Sequence, residues 1–328
     1  MQVRVFSCST CDNRLYLENS LCVACGSALG YWREQADIVV VDAEGQFVDP
    51  DGLVWHVCPN LNLSGCTWLT RLEGEPCEAC LLTRTRPSDE DLVGLSQFPV
   101  AEAAKRHLLI ELTRLGLGWV SREDDPETGL CFDMLSSVDE NVVIGHENGV
   151  ITIDLAEGDD AHRAKVQAEL AEPYRTMLGH LRHEVGHYME ALHVRGDRIE
   201  RARELFGDET VSYADELERH YSEGPPADWA ERYISTYATM HPFEDFAETF
   251  AHALHIQDSV DTARWNGLLT VDPDAFSVFS DLVTGVWVPL STALNQINRS
   301  MGADDLYPFV IPPPVLAKLD FVDSLRDR

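Results

Sequence analysis

Basic residues are scarce in this chain of 328 residues: 25 Lys and Arg stand against 56 Asp and Glu, a formal net charge of −31. Such a field repels nucleic-acid phosphates and anionic membrane surfaces, so the balance argues against a nucleic-acid partner. The basic residues gather only weakly, in "LTRTRP" (82–87) and "RGDRIERAR" (195–203). Long apolar runs are also missing, and none approaches the eighteen or so residues that read as a membrane span. The opening "MQVRVFSCSTC" has neither the basic n-region nor the apolar h-region of a secretory signal. A cytoplasmic protein without membrane association is expected. Cysteine is almost absent after residue 80: eight of the nine lie at or before it, and only Cys131 follows. No low-complexity segment is present, and a hydrophobic fraction of 45% suffices for a sizeable core.

The cysteines that are there fall into two groups. Cys8 and Cys11 form one CxxC knuckle and Cys22 and Cys25 a second, ten residues later. Each knuckle aims two sulfurs at one point, and in a reducing compartment thiolates at this spacing point to zinc rather than to disulfides. Cys58 and Cys66 in "HVCPNLNLSGC", with Cys77 and Cys80 in "CEAC", make a looser second set, for which His56 is a substitute ligand. Four thiolates close the coordination sphere, so both zincs are read as structural, and their binding energy becomes folding energy for a segment of few apolar runs. Cys131 reads as a small buried hydrophobe.

Between the cysteine groups, "ADIVVVDAEGQFVDPDG" predicts two short strands around the turn "DAEG". The polar stretch "TRTRPSDEDL" (83–92) reads as a hinge, so residues 1–87 and 88–328 are taken as two domains. A helical stripe through Ala101, Ala104, Leu108, Ile110, Leu112 and Leu115 is stopped by Gly116 and Gly118. The segment 141–160 alternates around "HENG" as a β-hairpin, and a long helix follows from about Asp160 to His193, broken or kinked at Pro173. Five further helical patterns cover most of 198–301, "PADWAERYISTYATM" among them, and the tail holds a stiff three-proline turn. The fold class is α+β: a small β ribbon with two metal sites, then a mainly helical domain with a small sheet.

Within the long helix stands "LRHEVGHYME" (181–190). Histidines four apart project from one helical face and can share an ion through imidazole nitrogen, and Glu184 beside His183 can reach a water on that ion. Met177, Leu181, Val185, Tyr188 and Leu192 can pack this helix into a core. Two histidines need a third protein ligand if one position is to stay open for water. "HPFEDFAETFAHALH" (241–255) offers Glu244, Asp245 and Glu248 on an otherwise apolar helix. Glu244 is preferred as ligand, with Glu248 orienting a histidine N–H or the first carboxylate; the reverse assignment is the alternative. Asp245 reads as a cap or outer acceptor, His180 as a surface or hydrogen-bonded residue, and His252 and His255 as structural. His241 precedes a proline close to the candidate ligand and is a candidate for contact with substrate or an oxyanion. His146 and the strand Val150 to Asp154 are candidates for a substrate-binding edge.

HExxH followed by a helix bearing ExxxE resembles the gluzincin metallopeptidases. "YATMHPFEDFAETF" is similar to the matching helix of anthrax lethal factor-like peptidases, in which a tyrosine seven residues before the ligand glutamate approaches the metal. That likeness maps Tyr237 onto the tyrosine and Glu244 onto the ligand. Over nearly its whole length the chain resembles a bacterial family of zinc-binding metallopeptidases with an N-terminal zinc ribbon, carried by the cysteine clusters, "RHEVGHYME", "LFGDETVSYADELERHY" and "LNQINRSMGADDLYPFVI". The resemblance implies a zincin-like domain, one catalytic and two structural zincs, and a peptide or protein substrate.

The chemistry expected is hydrolysis at zinc held by His183, His187 and Glu244, with Glu184 as general base and Tyr237 donating to the developing oxyanion; Tyr233 is a weaker alternative. The rival reading is a non-catalytic, zinc-stabilised scaffold whose ribbon recruits a protein partner. Glu184 argues against it, because a purely structural zinc has no use for a base beside its ligand.

Overall fold

Few long apolar runs leave the beginning of the chain to short strands joined by turns. The computed structural model describes residues 5–137, 142–159 and 176–326. Strand β1 (Phe6–Ser7) pairs antiparallel with β2 (Arg14–Leu15), β3 (Leu29–Trp32) with β4 (Asp37–Val40), and β5 (Gln46–Val48), β6 (Val54–Val57) and β7 (Leu69–Thr70) form an antiparallel three-stranded sheet. The strands predicted around "DAEG" are β4 and β5, but they do not pair. The chain does reverse there, with Gly45 at φ +75° and its N–H donating to the Asp42 carbonyl, yet each strand joins a different sheet. The reason is the core: Val41, Trp55 and Leu69 are buried together, with Trp32, Phe47 and Val57 packed on them. Gly30 sits tightly against this core, since a Cβ there would lie 2.4 Å from Leu69 Cδ2 and would force the leucine side chain to shift.

Residues 83–85, read as the start of a polar hinge, form β8 (Thr83–Thr85). It lies parallel to β9 (Cys131–Leu135) in a sheet ordered β10-β11-β9-β8, completed by β10 (Gly145–Glu147) and β11 (Val150–Asp154). The hairpin predicted at 141–160 is β10 and β11; its turn residues Asn148 (φ 48°) and Gly149 (φ 83°) are both left-handed, as a turn matched to strand twist requires. Because β11 lies between β10 and β9, its backbone groups pair on both sides. It is therefore no substrate-binding edge; the edge strand there is β10, and His146 Nε2 accepts the Gly149 N–H inside the turn at 3.0 Å. Cys131 is buried on β9. Helix α1 (Leu92–Arg114) buries Phe98, Ala101, Leu108, Leu109 and Leu112, and with them a charged pair, Lys105 Nζ donating to Glu102 Oε1 at 2.6 Å.

The chain divides into two compact units. The first holds the cysteine-rich segment, nearly all of α1 and this four-stranded sheet; the second holds Arg114–Gly118 and the described residues from Gly179 onward. The longer helices that follow are α2 (Met177–His193), α3 (Asp197–Phe206), α4 (Tyr213–Glu223), α5 (Pro242–Trp265), α6 (Val288–Ser300) and α7 (Pro313–Asp323). The predicted helix start near Asp160 and the break at Pro173 lie outside the described residues. On α2, Met177, Leu181, Val185 and Tyr188 are buried as expected and Met189 joins them, while Leu192, expected on the same face, is half-buried. The helix predicted for 226–240 is absent: only 3-10 turns at Trp229–Glu231 and Tyr237–Thr239 form. Hydroxyls compete with the backbone there, Ser235 Oγ accepting the Ala238 N–H and Thr239 Oγ1 donating to the Thr236 carbonyl. A π-helical turn, Val283–Trp287, leads into α6 just before Pro289, which has no N–H to donate. The three prolines of the tail start α7, where the first turn needs no donors. The architecture is α+β, a small strand-rich ribbon followed by a mostly helical region with one small sheet. Among the described residues no helix is long and apolar enough to cross a membrane.

Candidate metal centre

Among the described residues, three groups of side chains converge as metal ligands would: Cys8, Cys11, Cys22 and Cys25; Cys58, Cys66, Cys77 and Cys80; and His183, His187 and Glu244, with the ligand atoms of each group within 4.8 Å of one another. In the cysteine groups the nearest sulfurs are 3.6 Å apart (Cys8 and Cys25, Cys11 and Cys22), 3.7 Å (Cys58 and Cys80) and 3.5 Å (Cys66 and Cys77). Those gaps are far too long for disulfides and suit a tetrahedron around zinc, whose bonds of about 2.3 Å set sulfurs about 3.8 Å apart. Four cysteines complete the second group, so His56 is not called on. All four of its members are buried, whereas Cys11 and Cys25 of the first are exposed.

The third group depends on close approach of α2 and α5. A Cβ on Gly186, inside HEVGH, would meet Ala247 Cα at 3.0 Å and the Ala247 carbonyl oxygen at 3.2 Å. Glycine there lets the backbones nearly touch, which brings Glu244 against the histidines. Glu244 Oε2 lies 2.9 Å from His183 Nε2 and 3.5 Å from His187 Nε2. On the other side of the His183 ring, Nδ1–H donates to Glu248 Oε1 at 2.8 Å, and Ser235 Oγ–H donates to Glu248 Oε2 at 2.6 Å. With Nδ1 carrying the proton, the Nε2 lone pair faces a carboxylate oxygen. Two acceptors at that distance call for a cation or a proton between them, so the donor set fits a metal ion. Burial pulls the His183 imidazole down, but Glu244 and Glu248 outweigh it and hold the ring well above its ordinary value. Burial likewise pushes Glu244 up, and the two histidines outweigh it to hold the carboxyl far below the usual range.

Glu184 is buried, and its Oε2 has no hydrogen-bond partner among the described residues. Burial pushes its carboxyl up, with His183 and His187 pulling the other way. A buried carboxylate with a free oxygen one residue from a candidate ligand is chemically suited to accept a proton. The Tyr237 ring packs 5.8 Å from that of His183, and burial together with the charge of Glu244 keeps its phenol protonated, so it is a donor. Tyr233 instead lies under Lys318, whose Nζ is 4.4 Å from its ring centre.

The remaining sequence-predicted residues separate cleanly. His241 is buried as the N-cap of α5: Nδ1 accepts the Phe243 N–H at 3.1 Å and Nε2 lies 3.2 Å from the Val211 carbonyl, which corrects the expectation of substrate contact. Asp245 pairs with Lys318 Nζ at 2.6 Å, and burial raises its carboxyl to about 7. His252 and His255 belong to an aromatic cluster with Tyr307 and Trp287, and His180 stands outside the three-ligand group. Two residues escaped the sequence reading. Tyr213 O–H donates to Glu244 Oε1 at 2.9 Å, and Ser235 fixes Glu248. No helical spacing connects either to its partner; their only signal was proximity to the motif segments.

A family model described as "Putative zinc-binding metallo-peptidase" matches residues 94–325. The chain belongs to this family of zinc-binding metallopeptidases. A zinc-ribbon domain model matches residues 5–91, spanning both cysteine groups. Relatives include the uncharacterized proteins Mb2598c of Mycobacterium bovis and Rv2568c of Mycobacterium tuberculosis, each 47% identical over 341 residues, covering 99% of this chain and 96% of the relative. No solved structure matches the chain.

Proposed function

We propose that this metallopeptidase hydrolyses peptide bonds in a gluzincin-type site, with His183, His187 and Glu244 holding one zinc and the two cysteine groups holding structural zincs. The observation that carries this reading is the convergence of three ligand atoms next to a buried carboxylate oxygen without a partner. When bound, the ion lowers the pKa of the attacking water and polarises the scissile carbonyl. Glu184 takes the proton of that water through its free oxygen and passes it to the leaving amine. Glu248, braced by Ser235, holds His183 in the tautomer whose Nε2 is free to ligate. Tyr237, a protonated phenol beside His183, donates to the developing oxyanion. The substrate class is a peptide or protein.

The test is a peptide library offered to wild type and to Glu184→Gln at matched zinc content. Loss of the base costs about 10²- to 10⁴-fold in turnover while zinc is retained. Zinc-loaded wild type that cleaves nothing, indistinguishable from Glu184→Gln, would leave the non-catalytic scaffold as the better account.

A further inference from the structure

The two oxygens of Glu244 have different neighbours. Oε2 faces His183 Nε2 and His187 Nε2, while Oε1 accepts the Tyr213 O–H at 2.9 Å. The side chain is buried, so an oxygen left without a donor carries a desolvation penalty, and a carboxylate free to rotate can offer both oxygens to one ion. Tyr213 is the first residue of α4, directly after the N-cap Ser212, whose hydroxyl accepts the Asp215 N–H. Helix α4 buries none of its side chains. Tyr213 itself is 42% exposed, yet its hydroxyl reaches a carboxylate that is 3% exposed.

We infer that Tyr213 is a positioning residue for the metal site: it engages Oε1 and so holds Glu244 as a one-oxygen ligand, leaving a coordination position open for water. The inference rests on Glu244 being a ligand. Its consequence is that α4, a helix with little hold on the core, contributes directly to metal affinity. Two other tyrosines stand nearby. Tyr237 packs at a tilt against the His183 ring, and Tyr221, on the same helix as Tyr213, meets the edge of His220 and is 68% exposed.

The experiment uses the full chain in three forms, wild type, Tyr213→Phe and Tyr221→Phe. Zinc is titrated against a chelator, and the visible spectrum is recorded after cobalt replaces the weakest-held ion. Phenylalanine keeps the ring and places no new atom in a core, so Tyr213→Phe folds, which circular dichroism checks. Tyr213→Phe should hold the His-site metal about 10- to 100-fold more weakly, and its cobalt spectrum should shift toward higher coordination. Tyr221→Phe should match wild type in both. Wild-type affinity and spectrum in Tyr213→Phe overturn the inference while leaving Glu244 as ligand. A wild type that holds no third metal, and whose metal content is untouched by Glu244→Ala, instead removes the underlying reading. Should Tyr213→Phe fail to fold, Ser212→Ala, which loosens the first turn of α4, should weaken the same metal by a smaller factor; unchanged affinity there counts against the inference.

Discussion

Cys8 and Cys25 are 17 positions apart and Cys58 and Cys80 are 22, whereas His183 and Glu244 are 61 apart and reach each other only because α2 and α5 pack closely. The cysteine groups are closed, four soft ligands with no position left over. The histidine group has three ligands, a free carboxylate oxygen beside them, and a surrounding set of donors that fix one carboxylate and one imidazole. A metal in a cysteine group would cross-link short strands and turns beside a small core, that of Val41, Trp55 and Leu69. In the histidine group the packing of α2 against α5 already brings the ligand atoms together, so an ion bound there would enter a site prepared for it.

The largest difference should appear when one ligand of a closed group is removed. Cys77→Ser is expected to lose one zinc and, with it, stabilisation on the order of 10 kcal/mol for the ribbon. Zinc counting and a thermal melt check this; an unchanged melt would mean that the group is not structural. Acid should separate the regions next. Burial depresses His252 to about 4 from the ordinary 6.5. Above pH 6.5 the ring is neutral in both states and stability is full. As pH falls from 6.5 to 4 the unfolded chain binds the proton first, so roughly 3 kcal/mol is lost across that window and no more below it. His252→Gln should flatten the loss between pH 7 and 5 in melts followed through the helical region; an identical slope would rule out His252 as its source. The smallest effect expected is that of Gly186→Ala. Its methyl would press on the Ala247 backbone at 3.0 Å, costing about 1–3 kcal/mol and weakening zinc at the histidine group while the cysteine zincs stay. Equal zinc affinity in the variant would show that close helix approach does not build the site.

The comparison also explains what could be read from the residues alone. Spacing within a knuckle or along one helical face is local, so the cysteine groups, His183 with His187, and Glu244 with Glu248 were legible, as was α5 over Pro242–Trp265. Sheet partners were not: the strands flanking "DAEG" look like a hairpin, but burial of Val41, Trp55 and Leu69 sends them to different neighbours. Thr83–Thr85 reads as polar linker because its strand is held by pairing with β9 and by Arg84 donating to Asp133, neither visible in hydropathy. The stretch around Ser235 has helical periodicity, but its hydroxyl contacts compete with the helical backbone pattern. Tyr213 was hidden for the same reason, since its role lies in one long-range hydrogen bond.

The central claim, two closed structural metals and one open catalytic metal, is tested most directly by counting zinc per chain in purified wild type and in His183→Ala. Three in wild type and two in the variant is the predicted result. Two in both would contradict the account.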